Sequence, residues 1–117
     1  LYKINIKNGK LEKKFGSKGY INSPGTLIAP VLFKNKIYIT SFSEIHGYDI
    51  VTGKKITQIP FHPPNRKFWG GIPWGGSALD ENYGILYIST GNPRPALVGI
   101  NRTGNNDNSN SLIAIEN

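Results

Sequence analysis

Apolar and polar residues alternate along this chain in short runs, and nearly every run ends on Gly, Pro, Asn or Asp. A period of two residues over four to eight positions is the pattern of a half-buried β-strand. Residues 1–6 and 11–15 read as two strands joined at Asn8-Gly9, a pair that tolerates the positive φ of a tight hairpin. Strands are expected next over 27–33, 37–40, 45–50 and 55–59, with turns at 34–36 and 52–53. The clearest unit is a hairpin: a strand over 77–80, a turn over 81–84 and a return strand over 85–90. Trp74 stands just before it and Gly91-Asn92-Pro93 closes it. A final strand begins at Leu112.

The pattern repeats. Leu1 and Ile45, Ile4 and Tyr48, Asn5 and Asp49, Ile6 and Ile50, Gly9 and Gly53, and Lys10 and Lys54 all correspond at an offset of 44 residues. The run from Leu112 to Glu116 begins a third copy. A repeat of about 40–50 residues carrying four short strands marks a β-propeller blade. A self-contained small sandwich would show similar strands but not the repeat. The expected fold is therefore all-β, a partial β-propeller with about one complete four-stranded blade plus parts of two neighbours. Residues 1–20 would end one blade, 21–60 would form a complete blade, and 61–117 most of the next. Both ends read as cuts within a longer repeat. Two stretches break the rhythm, a Pro/Gly-rich connection over 60–73 and a polar insertion over 92–111. They flank the hairpin, so both should lie at one face. Loops of this length are usually functional or disordered.

Composition narrows the chemistry. With 117 residues and no cysteine, the chain has no disulfide framework and no thiolate metal site. No run approaches the length of a membrane span. The net charge of +7 comes mainly from lysines over 3–18 and 34–55. These are spaced between apolar residues without a nucleic-acid motif, so they read as solvated faces and guarded strand edges, not a nucleic-acid surface. Walker, HExxH, GxSxG and Rossmann patterns are absent. His46 and His62 are too scattered for a zinc triad. His46 reads as a strand-face residue, and His62, in the proline-rich connection, as a residue within reach of a ligand. An EF-hand-like spacing over 105–116 lacks the turn glycine.

The remaining constellation surrounds the hairpin. Trp69 and Trp74 are set among Gly70, Gly71, Gly75 and Gly76, which let a flat ligand approach the backbone closely. Asn92 carries an amide oxygen of the kind that binds a hard cation. Taken singly, a Trp before a strand is usually packing and such an Asn usually a turn former. Together, the stretch WGGSALDENYGILYISTGNPRPALVGINRTGNNDNSNSLIAIE resembles the pyrroloquinoline quinone (PQQ) dependent dehydrogenases, whose pattern runs Trp, an Ala/Ser-x-Asp strand, (L/I)YxxTGNPxP, RPGDN and S-(I/V)-x-A-L-D. The stretch from Asn8 to Gly19 is similar to the TGKLxxxFGxxG of the glucose-dehydrogenase-like branch. Tyr48 to Lys54 resembles the usual blade ending. The family's RPGDN stands here as Arg102-Thr103-Gly104-Asn105-Asn106, so its Pro and Asp are replaced.

The resemblance implies an eight-bladed propeller, of which 117 residues would be about a quarter. It implies Trp74 as the floor on which PQQ stacks, and Asn92 as a ligand to Ca²⁺. Thr90 and Arg102 would help place the cofactor or the loop. The catalytic Asp and a carboxylate metal ligand would lie outside this segment, so no residue here is assigned as catalytic. The parent protein would be a periplasmic quinoprotein oxidising a small alcohol or sugar, and the segment alone would be inactive. The alternative is a propeller scaffold without cofactor, acting in protein–protein interaction. With blade faces open, the isolated chain is expected to self-associate.

Overall fold

A computed structural model describes residues 1–65, 69–95, 98–100, 102 and 104–116, with the side chain of Trp69 also outside the described atoms. Nine strands and no helix occur among the described residues. Four form an antiparallel meander: β1 (Val31–Phe33), β2 (Lys36–Thr40), β3 (Glu44–Asp49) and β4 (Lys55–Pro60). Two very short strands, β5 (Trp69–Gly70) and β8 (Pro93–Arg94), pair with each other. A second antiparallel sheet holds β6 (Pro73–Asp80), β7 (Ile85–Thr90) and β9 (Leu112–Glu116), with β7 in the middle. This all-β architecture is that of a partial β-propeller. No helix of the described chain is long and apolar enough to cross a membrane.

The alternation read from the sequence becomes a two-sided sheet. In the second sheet, Leu79, Leu86 and Ile115 share one row, and Ile88 and Ile113 the next. These inward residues meet Phe33, Tyr38 and Ile45 of the first sheet, and Phe61 just after β4, in one apolar cluster. Ile45 and Ile88 are fully buried. The core is thus the seam between two stacked sheets, as the expectation of blade-on-blade burial requires. The molecule is drawn out, measuring 53 × 30 × 22 Å. Its radius of gyration is 16.2 Å, against about 13 Å for a compact domain of this length.

Three expected elements differ. Residues 1–6 and 11–15 do not form continuous strands; the antiparallel bridges Ile4 to Leu11 and Tyr2 to Tyr20 are all that remains of a ladder there. The turn is wider than a two-residue hairpin, because Asn5 takes up both the Lys10 carbonyl and the Gly9 N–H. The strand expected over 27–33 is confined to β1. Pro30 has no N–H to offer a ladder, and Thr26 closes a local turn by accepting the Ile28 N–H at 3.2 Å. The pair β5–β8 was invisible in the alternation because two-residue strands show no period.

The turns at Asn5 and Asp49 share one set of bonds. The N–H of each donates to a lysine carbonyl, Lys10 or Lys54, at 2.9 Å, and each carbonyl accepts from Gly9 or Gly53. These glycines have φ of 68° and 73°. Asp49 goes further: its carboxylate accepts the Thr52 N–H at 2.7 Å, the Thr52 hydroxyl at 2.8 Å and the Val51 N–H at 3.0 Å. The Thr52 bonds hold its carboxyl below the ordinary carboxylate pKa. A depressed folded-state pKa contributes stability above the unfolded pKa, and that stability is lost as pH falls through the folded value. Asp49→Ala is therefore expected to lower Tm at neutral pH. It should also flatten the fall in Tm below about pH 4, which thermal melts across that range will show.

Candidate functional site

The bend that makes the site lies inside β6. Pro73 pairs with Thr90 and Ser77 with Ile88, so Trp74, Gly75 and Gly76 together oppose Ser89 alone. This is an enlarged β-bulge, a device that re-aims a side chain out of a sheet. Gly76 takes φ of 96°, which suits glycine and little else. A Cβ on Gly75 would lie 2.8 Å from the Ser89 hydroxyl, so the glycine lets the bulged strand close on its partner. The indole of Trp74 leaves the sheet and remains 70% exposed.

The indole edge rests over Gly91. A Cβ built there would lie 2.5 Å from Trp74 Nε1 and 2.9 Å from Cδ1. Asn92 is the next residue, so the structure brings Trp74 and Asn92 together as the sequence led one to expect. They line a common open groove with Leu27, Ile72, Gly91 and Arg94. A second depression shares Trp74, Gly91 and Asn92 with it and is also lined by Ser89, Thr90 and Asn110. The Asn92 backbone is fixed, its carbonyl accepting from Gly71 N–H at 2.8 Å. Asn92 as a whole is exposed.

Thr90 and Arg102 lie beside the groove and hold its backbone. Thr90 is buried; its hydroxyl donates to the Asn108 carbonyl at 2.6 Å and accepts the Ser111 N–H at 3.1 Å. Arg102 donates to the Pro93 carbonyl at 3.1 Å and the Pro95 carbonyl at 2.9 Å, bracing the segment just after Asn92. The two long connections meet as expected: β5 pairs with β8, and the Asn108 amide donates to the Phe61 carbonyl. Thr103, within the RPGDN-like stretch, lies outside the described residues.

The histidines stand apart from this groove. His62 is buried in the loop hub, with Nε2 2.9 Å from the Gly71 carbonyl. His46 is buried in β3 as a strand-face residue, 3.0 Å from the Glu44 carboxylate. Glu44 has its pKa lowered, chiefly by the Gln58 side-chain amide donating at 2.7 Å and then by His46. In the EF-hand-like stretch, Glu116 belongs to β9. Among the described residues, no group of three or more His, Cys, Asp or Glu gathers to hold a metal. Among the described residues that line the groove, Asn92 carries a side-chain amide oxygen.

Arg94 is the residue that sequence reasoning missed. It lies two positions after Asn92, in the x position of GNPxP, and lines the same groove. Its pairing in β8 sets it there, and that two-residue strand was not readable. Leu27 reaches the groove from far earlier in the chain, where no local pattern announces it.

A test of the geometry follows from Gly91. Gly91→Ala places a methyl where the indole edge now lies, and the exposed ring is free to swing away. The variant is expected to melt within a few degrees of the parent while its tryptophan emission shifts. An unchanged emission spectrum would mean that the indole does not rest on Gly91.

Residues 43–117 match the family model described as PQQ: glucose/ethanol/alcohol dehydrogenase, beta-propeller domain. The matched region contains β3 to β9 and so the bulge, both long connections and most of the groove lining. No curated protein and no solved structure matches the chain.

Proposed function

Because the chain belongs to the glucose/ethanol/alcohol dehydrogenase β-propeller family, we propose that its Trp74–Asn92 groove forms part of a PQQ and Ca²⁺ site in a quinoprotein dehydrogenase. The observation that carries this reading is the β6 bulge, which turns a mostly exposed indole toward a fixed Gly91-Asn92 backbone. The residues present fit such a group. A flat ring finds an aromatic floor in Trp74, a hard cation finds an oxygen in Asn92, and a polycarboxylate finds a cation in Arg94.

The division of labour follows from these chemistries. When bound, the quinone supplies the two-electron acceptor chemistry and the metal supplies Lewis acidity. The chain's own residues bind and orient. Trp74 would fix the plane of the ligand, with Gly91 seating the indole edge and Gly75 letting the bulged strand close on Ser89. Asn92 would offer the metal its amide oxygen from a backbone that Gly71 and Arg102 hold. Thr90 acts through the loop, pinning the Asn108 and Ser111 backbone beside Asn92. None of Leu27, Ile72, Trp74, Gly91, Asn92 and Arg94 is suited to act as a general base, so this reading assigns no catalytic residue here. The substrate class is a small alcohol or sugar, and the compartment proposed is the periplasm.

Dye-linked oxidation across a panel of alcohols and sugars, after reconstitution with PQQ and Ca²⁺ at full natural length, tests the reading. Turnover of one class supports it. PQQ binding without turnover would retain the site and remove the dehydrogenase. Failure of both would leave the scaffold reading, in which the same sheets serve protein–protein interaction alone.

A further inference from the structure

The backbone that carries Asn92 is tied to a single earlier stretch, Phe61-His62, by two routes. The first runs through Gly71 and Ile72, which exchange two hydrogen bonds with Gly91 and Asn92. The Gly71 N–H donates to the Asn92 carbonyl at 2.8 Å, and the Gly91 N–H donates to the Ile72 carbonyl at 3.1 Å. The peptide that joins Gly71 to Ile72 lies between those bonds, and its carbonyl stands 2.9 Å from Nε2 of His62. A carbonyl only accepts, so this contact requires a proton on Nε2. The second route runs through the long insertion. The Asn108 amide donates to the Phe61 carbonyl, and the Thr90 hydroxyl donates to the Asn108 carbonyl at 2.6 Å. Thr90 stands two residues before Asn92.

Packing holds the imidazole in place. Phe61 is buried in the apolar cluster between the sheets, and the His62 ring lies against it with ring centroids 4.9 Å apart. His62 is itself buried. Gly71 approaches it as closely as a residue without a side chain can. A Cβ there would lie 2.9 Å from His62 Cε1 and 3.1 Å from Nε2. A φ of 64° at Gly71 favours glycine for the same position. The apolar seam thus orients the imidazole, and the imidazole orients the peptide against which Gly91-Asn92 is paired.

We propose that His62 is a positioning residue for Asn92: its Nε2–H fixes the Gly71–Ile72 peptide, and that peptide fixes the backbone from which Asn92 offers its amide oxygen to Ca²⁺. This rests on the assignment of the groove to PQQ and Ca²⁺. His62 stands apart from the groove and touches neither group; it acts only through Gly71. Side chains that orient a metal ligand from outside are typically worth about 10- to 100-fold in metal affinity. One that acts through a peptide belongs at the lower end of that range.

His62→Phe removes the donor and keeps a flat ring against Phe61. His62→Gln returns an amide N–H at the reach of Nε2. Calorimetric titration of PQQ into the protein at full natural length, with Ca²⁺ present and with it chelated, separates the two. The Ca²⁺ dependence is expected to be about tenfold smaller for His62→Phe than for the parent, and mostly recovered in His62→Gln. A Phe variant equal to the parent would overturn the proposal and leave the site standing. A Gln variant as weak as the Phe variant would also overturn it, because His62 would then act through its bulk and not its N–H. A parent without Ca²⁺ dependence would remove the site itself, and the proposal with it. Should His62→Phe not fold, the parent alone decides. Two-bond proton–nitrogen spectra of the protein with isotope-labelled histidine are expected to find His62 protonated on Nε2, and a neutral ring protonated on Nδ1 alone would overturn the proposal.

Discussion

The Trp74→Ala protein is expected to keep its fold and to lose about 10- to 100-fold in affinity for PQQ, since stacking of a flat ring on an aromatic side chain is worth roughly 1–3 kcal/mol. The two halves of this expectation rest on different observations. The fold survives because the indole is 70% exposed and lies outside the apolar cluster between the sheets. The bulge itself is held by the Pro73 and Ser77 pairings and by the glycines, none of which needs the ring. Affinity falls because no other described residue lining the groove offers a flat apolar surface of that size. Trp74→Phe is expected to recover part of the loss. Isothermal titration of the parent and both variants at full natural length checks the order, and equal affinities for all three would remove Trp74 from the site.

Ile88→Ala is expected to do the reverse, leaving the groove chemistry intact and weakening the platform beneath it. Ile88 is fully buried at the seam, sharing its row with Ser77 and Ile113. Truncating such a side chain costs about 2–5 kcal/mol, from lost transfer energy and the cavity left behind. That is a large share of a marginal total of about 5–15 kcal/mol. At roughly 3–6 °C per kcal/mol for a chain of this size, Tm should fall by about 10–20 °C. Ile113→Ala, in the same row but only partly buried, should fall less. Urea or thermal melts decide this. A loss below about 1 kcal/mol would mean that the seam is not what holds the sheets together.

Much of this was legible in the chain because the physics is local. Strict alternation gave the hairpin: the turn over 81–84 and the strand β7 appear where polar and apolar positions placed them. The strands β2, β3 and β4 came within one residue of expectation. The N-terminal hairpin failed as a pair of strands because alternation reports a preferred face but not whether a partner strand lies alongside. Residues 1–20 pair only through isolated bridges, Tyr2 and Ile4 with Tyr20 and Leu11, and Gly16 and Ser17 with Tyr20, and these do not extend into a continuous ladder.

The candidate groove was legible in two of its residues and not in its shape. Trp74 and Asn92 stood out by type and by flanking glycines, and they do meet at one groove. Gly75-Gly76 signalled a departure from regular strand, but not which way the indole would turn. That depends on the register of β6 against β7, a non-local fact. Thr90 and Arg102 were read as placing cofactor or loop; their hydrogen bonds go to loop backbone. Arg94 was hidden because its place comes from pairing across two long connections.

The most direct test of the proposed site is calorimetric titration of PQQ into the full-length protein, with Ca²⁺ present and with it chelated, for the parent and for Asn92→Ala. The account predicts tighter binding with Ca²⁺ for the parent, and a dependence on Ca²⁺ at least about tenfold smaller for Asn92→Ala. Binding that ignores Ca²⁺ in the parent, or a Ca²⁺ dependence that Asn92→Ala leaves unchanged, would contradict it.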